Sequence, residues 1–274
     1  MLEKIILPDV VVSSRINQIW KHSGIDSPDL CLDKTHFKNY PCEVSYQYNS
    51  RGFRDDEWPD QLDQVIWCIG DSFTVGIGSL RQHTWPYLLQ KKLNVRCINV
   101  SLDGASNSWI ARHAQSIISE FPRACIVVQW SFLHRRESKD GRQLHHSPKL
   151  SIYEDLDLWQ HCVESLPTVI HSIIPDAMPG LDPREVDGWW YNERQEHWPI
   201  QRPTSFDKFE SGLVEDLKKL NLWDQFFPHY LAQKLMKEHD IIHVQRLPND
   251  LARDGFHYDI KTSNWFVEQL ELIL

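Results

Sequence analysis

The chain has 274 residues, 41% hydrophobic and 24% charged, with a formal net charge of -9. That composition gives a globular protein a core of normal size, so folding requires neither a metal nor a disulfide staple. The charge argues against a nucleic-acid partner, which needs clustered Lys and Arg; Lys91-Lys92 and Arg135-Arg136 are too short to serve.

Residues 1–60 carry no clear period. They read as an N-terminal arm packed on the rest, with turns such as "NSRGFRDD" (49–56). Its opening "MLEKIILPDVVVSS" is interrupted by Pro8-Asp9 and makes a poor signal-peptide core. No run approaches the roughly 20 apolar residues that span a bilayer. The expected location is therefore cytoplasmic, with no membrane span. The six cysteines form no Cys-x-x-Cys pair. Cys68, Cys97 and Cys125 lie in apolar runs as small hydrophobes, which fits a reducing compartment.

From residue 61 onward, short apolar runs alternate with helical patterns. The runs are "VIWCIG" (65–70), "CINV" (97–100), "ACIVVQW" (124–130), "TVIHSIIP" (168–175) and "IIHVQ" (241–245). Continuous apolar runs suit parallel strands covered on both faces. Helices are expected at 81–93, 106–121, 153–166, 228–239 and 260–274. Pro86 would lie near the start of the first. The second places Trp109, Ile110, Ala114, Ile117 and Ile118 at helical spacing. Such alternation means a three-layer α/β domain, 61–274, with right-handed crossovers. Between the fourth and fifth strands lies a long insertion, 176–227, rich in Trp, Pro and charge. Connections of that length are usually functional or disordered, and the tryptophans argue against disorder.

The first strand ends in Gly70-Asp71-Ser72. Alone, this reads as a helix cap. Ligands of an open parallel sheet bind outside the carboxyl ends of its strands, however, and Ser72 stands there. "LARDGFHYD" (251–259) puts Asp254-x-x-His257 after the last strand, at the same edge. A hydroxyl needs a base to become a nucleophile near neutral pH, and the base needs a carboxylate to orient it. Three-residue spacing lets Asp254 buttress His257 from one loop. Ser72, His257 and Asp254 are therefore the expected catalytic residues.

These segments resemble the SGNH, or GDSL, hydrolases. "GDSFTVG" (70–76) is similar to that family's nucleophile block. "INVSLDGASN" (98–107) is similar to its second block, and "DGFHYD" (254–259) to its last. "NSRGFR" (49–54) resembles a segment that often precedes the nucleophile block in phage and bacterial members. The resemblance covers roughly 49–131 and 241–274. It implies a flavodoxin-like sheet of about five strands in the order 2-1-3-4-5. It also implies ester hydrolysis through an acyl-enzyme, with no cofactor or metal. Ser72 would be the nucleophile, Asp254 and His257 would complete the triad, and the N–H groups of Ser72 and Gly104 would form an oxyanion hole. The family's third oxyanion donor is an Asn after the third strand. Here that segment reads "VVQWSFLHRRE" (127–137), without Asn. Ser131, His134, Arg135 and Asn107 are alternatives that spacing does not separate, and Arg135 is equally placed to pair with Glu137.

The remaining motifs are weaker. Gly76-x-Gly78 lacks the third glycine of a dinucleotide fingerprint, and no P-loop Lys follows. His145-His146 and Glu193-x-x-Glu196-His197 lack a recognised zinc spacing and read as surface. Trp189, Trp190 and Trp198 either pin the insertion to the domain or form a platform for sugar rings or acyl chains. The expected protein is a serine esterase acting on short acyl or acetyl esters, on a small molecule or a carbohydrate. An acyltransferase with the same triad and a non-catalytic binding or structural protein of the same fold are the alternatives.

Overall fold

The computed structural model describes residues 7–138, 141, 143–144, 152–175, 177 and 223–274. Five parallel strands form the central sheet: β1 (Ile66–Gly70), β2 (Cys97–Ser101), β3 (Cys125–Trp130), β4 (Ile170–Ile173) and β5 (Ile242–His243). Their order is β2-β1-β3-β4-β5. All residues of β1 and β2 are buried, as strands covered on both faces must be. All six cysteines are free thiols, and Cys68, Cys97 and Cys125 lie on the three neighbouring strands β1, β2 and β3. A separate two-stranded ladder pairs Ile19–Trp20 with Tyr46–Gln47 in the N-terminal region.

Among the described residues, the helices from Ser72 onward are α1 (Ser72–Val75), α2 (Trp85–Leu93), α3 (Asn107–Glu120), α4 (Ile152–Glu164), α5 (Trp223–Glu238) and α6 (Ile260–Glu271), and a six-residue helix, Lys34–Asn39, lies in the N-terminal region. The chain steps from β1 to β2 in one direction, then returns past β1 to β3. Right-handed crossovers therefore send α2 and α3 to opposite faces. Accordingly α2 packs with α6, while α3 packs with α4 and α4 with α5. The crevice at this reversal lies above the carboxyl ends of β1 and β3.

Local chemistry explains the element ends. Ser106 caps α3 by accepting the Trp109 N–H, and Trp109, Ile110, Ala114 and Ile117 face the core. The helix expected over 81–93 is interrupted. Residues Arg81–His83 form one 3-10 turn, Thr84 is extended, and α2 begins at Trp85. Pro86 is the reason: inside a continuous helix its ring would clash with the carbonyl four residues back, whereas in a first turn its missing N–H is harmless. Helix α5 starts at Trp223, five residues before the expected 228, and so takes up the end of the segment read as insertion. Among the described residues no helix is long and apolar enough to cross a membrane. Trp67, Trp85, Trp130 and Trp159 are fully buried; truncating any one to Ala costs about 3–5 kcal/mol.

Candidate active site

At the end of β1 the chain turns into the single-turn helix α1. Asp71 is its N-cap, accepting the Phe73 N–H at 3.0 Å. Capping and presentation of the serine are thus one arrangement: Asp71 caps, and Ser72 opens the helix. Buried polar groups hold the turn to the sheet. Thr74 Oγ1 donates to Gln129 Oε1 on β3 (2.9 Å), and Asn99 on β2 donates to the Thr74 carbonyl (3.0 Å). Gln129 Nε2 reaches Tyr258 Oη at 3.1 Å.

Asp254 and His257 lie between β5 and α6. The Asp254 carboxylate accepts the N–H groups of Phe256 (2.8 Å) and His257 (3.0 Å). Its other oxygen is 2.5 Å from His257 Nδ1. A carboxylate only accepts, so Nδ1 carries the proton and Nε2 is left as an acceptor. Ser72 Oγ lies 2.8 Å from that Nε2. Ser72, His257 and Asp254, 182 residues apart in the chain (254 minus 72), therefore form one hydrogen-bonded series. All three are buried. Phe73 meets the imidazole edge-on at 4.5 Å between ring centres, and Phe256 flanks it at 5.0 Å. This apolar wall strengthens the polar contacts inside it.

Gly104, with φ of +77°, follows β2. The backbone N–H groups of Ser72 and Gly104 donate to no acceptor among the described residues. The four other donor candidates divide. Asn107 is tied to the backbone of Ser131: its Oδ1 accepts the Ser131 N–H (2.8 Å) and its Nδ2 faces the Ser131 carbonyl (3.3 Å). Ser131 Oγ donates to Asp71 at 2.7 Å. Arg135 Nη1 lies 2.8 Å from both Asp71 Oδ2 and Ser131 Oγ, and its guanidinium covers the Phe132 ring. Arg135 does not pair with Glu137, which takes Arg112 instead. His134 is buried beside Phe132. Burial pushes the Asp71 carboxyl above its ordinary range, and Arg135, Ser131 and the Phe73 N–H pull it back. Trp189, Trp190, Trp198, His145-His146 and the Glu193–His197 motif lie outside the described residues.

Sequence reasoning missed Arg54, which is buried. Its Nη1 donates to the carbonyls of Val75 (3.1 Å) and Gly76 (2.5 Å), and its Nη2 to those of Ser45 (3.0 Å) and Ser79 (2.9 Å). It thereby satisfies the carbonyls left open where α1 ends. The "NSRGFR" segment is a recognisable stretch, but nothing local in it says which carbonyls its second arginine serves. Asp26, Tyr46 and Arg253 were missed too.

No protein-family profile matches the chain, and no curated protein matches it. Solved structures with partial fold similarity include a G-D-S-L family lipolytic protein from Veillonella parvula, 15% identical, with a TM-score of 0.38 over 76% of this chain and 97% of that one. The psychrotrophic esterase EstA from Pseudoalteromonas sp. is 11% identical, with a TM-score of 0.41 over 76% and 95%. AlinE4, an esterase of the SGNH-hydrolase family, is 14% identical, with a TM-score of 0.34 over 79% and 99%.

Proposed function

We propose that this chain is a serine esterase of the SGNH type, with residues 61–274 as its hydrolase domain and 1–60 as an arm packed on it. One observation carries the reading: Ser72 Oγ, His257 and Asp254 are joined by contacts of 2.8 and 2.5 Å within a buried, aromatic-walled crevice. Ser72 Oγ attacks the ester carbonyl as His257 Nε2 takes its proton. Negative charge gathers on the carbonyl oxygen, and the unengaged N–H groups of Ser72 and Gly104 receive it. Each such donor contributes about two to three orders of magnitude in rate. The intermediate collapses, the C–O bond to the alcohol breaks, and His257 returns the proton to the departing alkoxide. Water, deprotonated by His257, then attacks the acyl-Ser72 ester; the C–Oγ bond breaks, His257 returns the proton to Ser72 Oγ, and the acid is released. Asp254 holds the imidazole in the Nδ1–H tautomer and stabilises its positive form. Short acyl or acetyl esters, on small molecules or carbohydrate, are the proposed substrates.

A fluorophosphonate probe tests the reading without knowledge of the substrate. The wild-type protein should be labelled once, on Ser72, and Ser72→Ala should neither label nor turn over a small acetyl ester while melting like wild type. Equal labelling of both proteins would overturn it.

A further inference from the structure

The loop bearing Asp254 and His257 is braced internally: Ala252 N–H donates to the His257 carbonyl (2.9 Å), and Gly255 N–H to the Ala252 carbonyl (3.0 Å). Those bonds fix its shape. They do not fix its distance from Ser72. The loop meets the Ser72 turn at Gly78, which lies just beyond α1, where Ile77 N–H donates to the Ser72 carbonyl at 3.1 Å.

Gly78 is the second glycine of the Gly76-x-Gly78 pair that fitted no phosphate-binding motif. Its φ is +75°, and a Cβ there would lie 2.9 Å from Ala252 Cβ and 3.0 Å from Asp254 Cγ. Only glycine lets the Asp254 loop come this close. Both sides of its peptide chemistry are occupied. The Gly78 carbonyl accepts the Arg253 N–H at 2.9 Å. The Gly78 N–H donates to Tyr46 Oη at 2.8 Å. Tyr46 O–H in turn donates to Asp26 Oδ2 at 2.6 Å. Asp26 takes Arg253 through both Nε (2.8 Å) and Nη2 (2.6 Å). The circuit Gly78–Tyr46–Asp26–Arg253 closes on itself. Asp26 and Tyr46 are fully buried, and burial pushes the Tyr46 phenol up, so it remains a donor. The same N-terminal segment adds the Leu32 N–H on the Asp254 carbonyl (3.1 Å) and His36 on the Ala252 carbonyl (2.9 Å).

We infer that Asp26 and Tyr46 are positioning residues: acting through Arg253 and Gly78, they set the placement of Asp254 and His257 against Ser72. The inference rests on the triad reading above for its catalytic meaning. An ångström of misplacement at such a site costs about 10²-fold in rate, so a brace in the N-terminal region can govern chemistry it never touches.

The test separates positioning from mere support of the fold. Tyr46→Phe removes one hydroxyl and leaves the ring. The pair Asp26→Leu with Arg253→Met replaces the buried ion pair by apolar groups, an exchange that folded proteins often tolerate without loss of stability. Two readouts are taken on variants whose melting matches wild type. The first is the rate of fluorophosphonate labelling of Ser72; the second is the NMR resonance of the His257 Nδ1 proton. Labelling at least tenfold slower, with the resonance moved or lost to exchange, is the expected result. Wild-type labelling with an unmoved resonance in both variants would overturn the inference. If the double variant does not fold, Tyr46→Phe decides on the same two readouts. If the wild-type protein itself does not label, the esterase reading fails, and the resonance alone still decides whether the circuit holds the imidazole.

Discussion

The two halves of the site are supported in opposite ways. Ser72 is held by the sheet: β1 is paired on both sides, its register with β2 runs through Gly70 and Ser101, and Gln129 and Asn99 on the flanking strands bond Thr74 in the same turn. The Asp254–His257 loop leaves β5, a two-residue edge strand paired only with β4 at two positions. Arg246, on the Phe256 carbonyl, and Gln129, on the Tyr258 hydroxyl, hold it locally and to the sheet, and further support comes from residues 26–46, more than 200 positions away in the chain. The sheet thus carries most of the turn that presents Ser72, with Arg54 closing its end, while the loop opposite draws more on side chains from outside the alternating βα pattern.

The largest effects should follow from breaking the series where the halves meet. His257→Ala and Asp254→Asn should each lower turnover of a small ester by about 10⁴-fold. The double variant should be little worse than His257→Ala, because the groups act as one unit. Multiplying losses, seen in single-turnover acylation, would show two independent contributions.

Next in size is the support of the nucleophile turn from outside the sheet. Arg54→Met strips four carbonyls of a buried donor. Each unsatisfied group costs about 1–3 kcal/mol, so urea unfolding should show a loss of about 3 kcal/mol or more. Arg112→Ala, which breaks a half-exposed pair with Glu137, is the control; it should cost under about 1 kcal/mol. Similar losses for the two would mean that the Arg54 carbonyls find other donors.

This contrast also explains what could be read from the sequence. Strand positions and the Ser72 and Asp254-x-x-His257 motifs are local patterns: apolar runs of strand length, and short spacings at the ends of strands. The circuit through Asp26 is not a pattern. A single Asp, a single Tyr and an Arg beside a recognised motif carry no period, and their pairing spans 227 residues. The same holds for Arg135, whose neighbour in sequence, Glu137, is not its partner, whereas Asp71, 64 residues back, is. The break at Thr84 was within reach, since Pro86 forbids the longer helix, but the apolar spacing around it concealed the break.

A smaller effect separates the α3 side of the sheet from the site. His113 and His171 are buried, and burial lowers each to about 4 from the ordinary 6.5. In that window the unfolded chain binds more protons than the folded one. Their contribution is therefore complete above about pH 6.5 and is lost as pH falls toward 4, by at most about 1.4 kcal/mol per pH unit per group. His113→Phe keeps a ring against Trp109, which stacks on it at 3.7 Å, and removes the titration. Urea midpoints at pH 7 and 5 should lie closer together in this variant than in wild type. The difference between the two proteins isolates the imidazole from Asp55 and Asp71, whose raised values act in the opposite sense. An unchanged pH slope would mean that His113 is protonated without unfolding.

The smallest expected effect concerns Arg135, and it sharpens what stands in place of an Asn after the third strand. Arg135 donates to Asp71 and Ser131, so its first role is to favour the charged form of a buried carboxyl beside Ser72. In Arg135→Met, burial acts on Asp71 with less opposition, and its protonation moves to higher pH. A neutral Asp71 no longer stabilises the imidazolium that forms on His257 as Ser72 attacks. Turnover should then fall by about tenfold or less near pH 7, and the loss should shrink as pH rises and the Asp71 carboxyl is more fully ionised. Asn107→Ala, which releases only the Ser131 backbone, should give a loss of similar size with no such recovery. A pH-independent loss of 10² or more for Arg135→Met would have a different meaning. It would place the guanidinium within about 3 Å of the oxyanion itself, as the missing donor, with its contact to Asp71 serving only to hold it there.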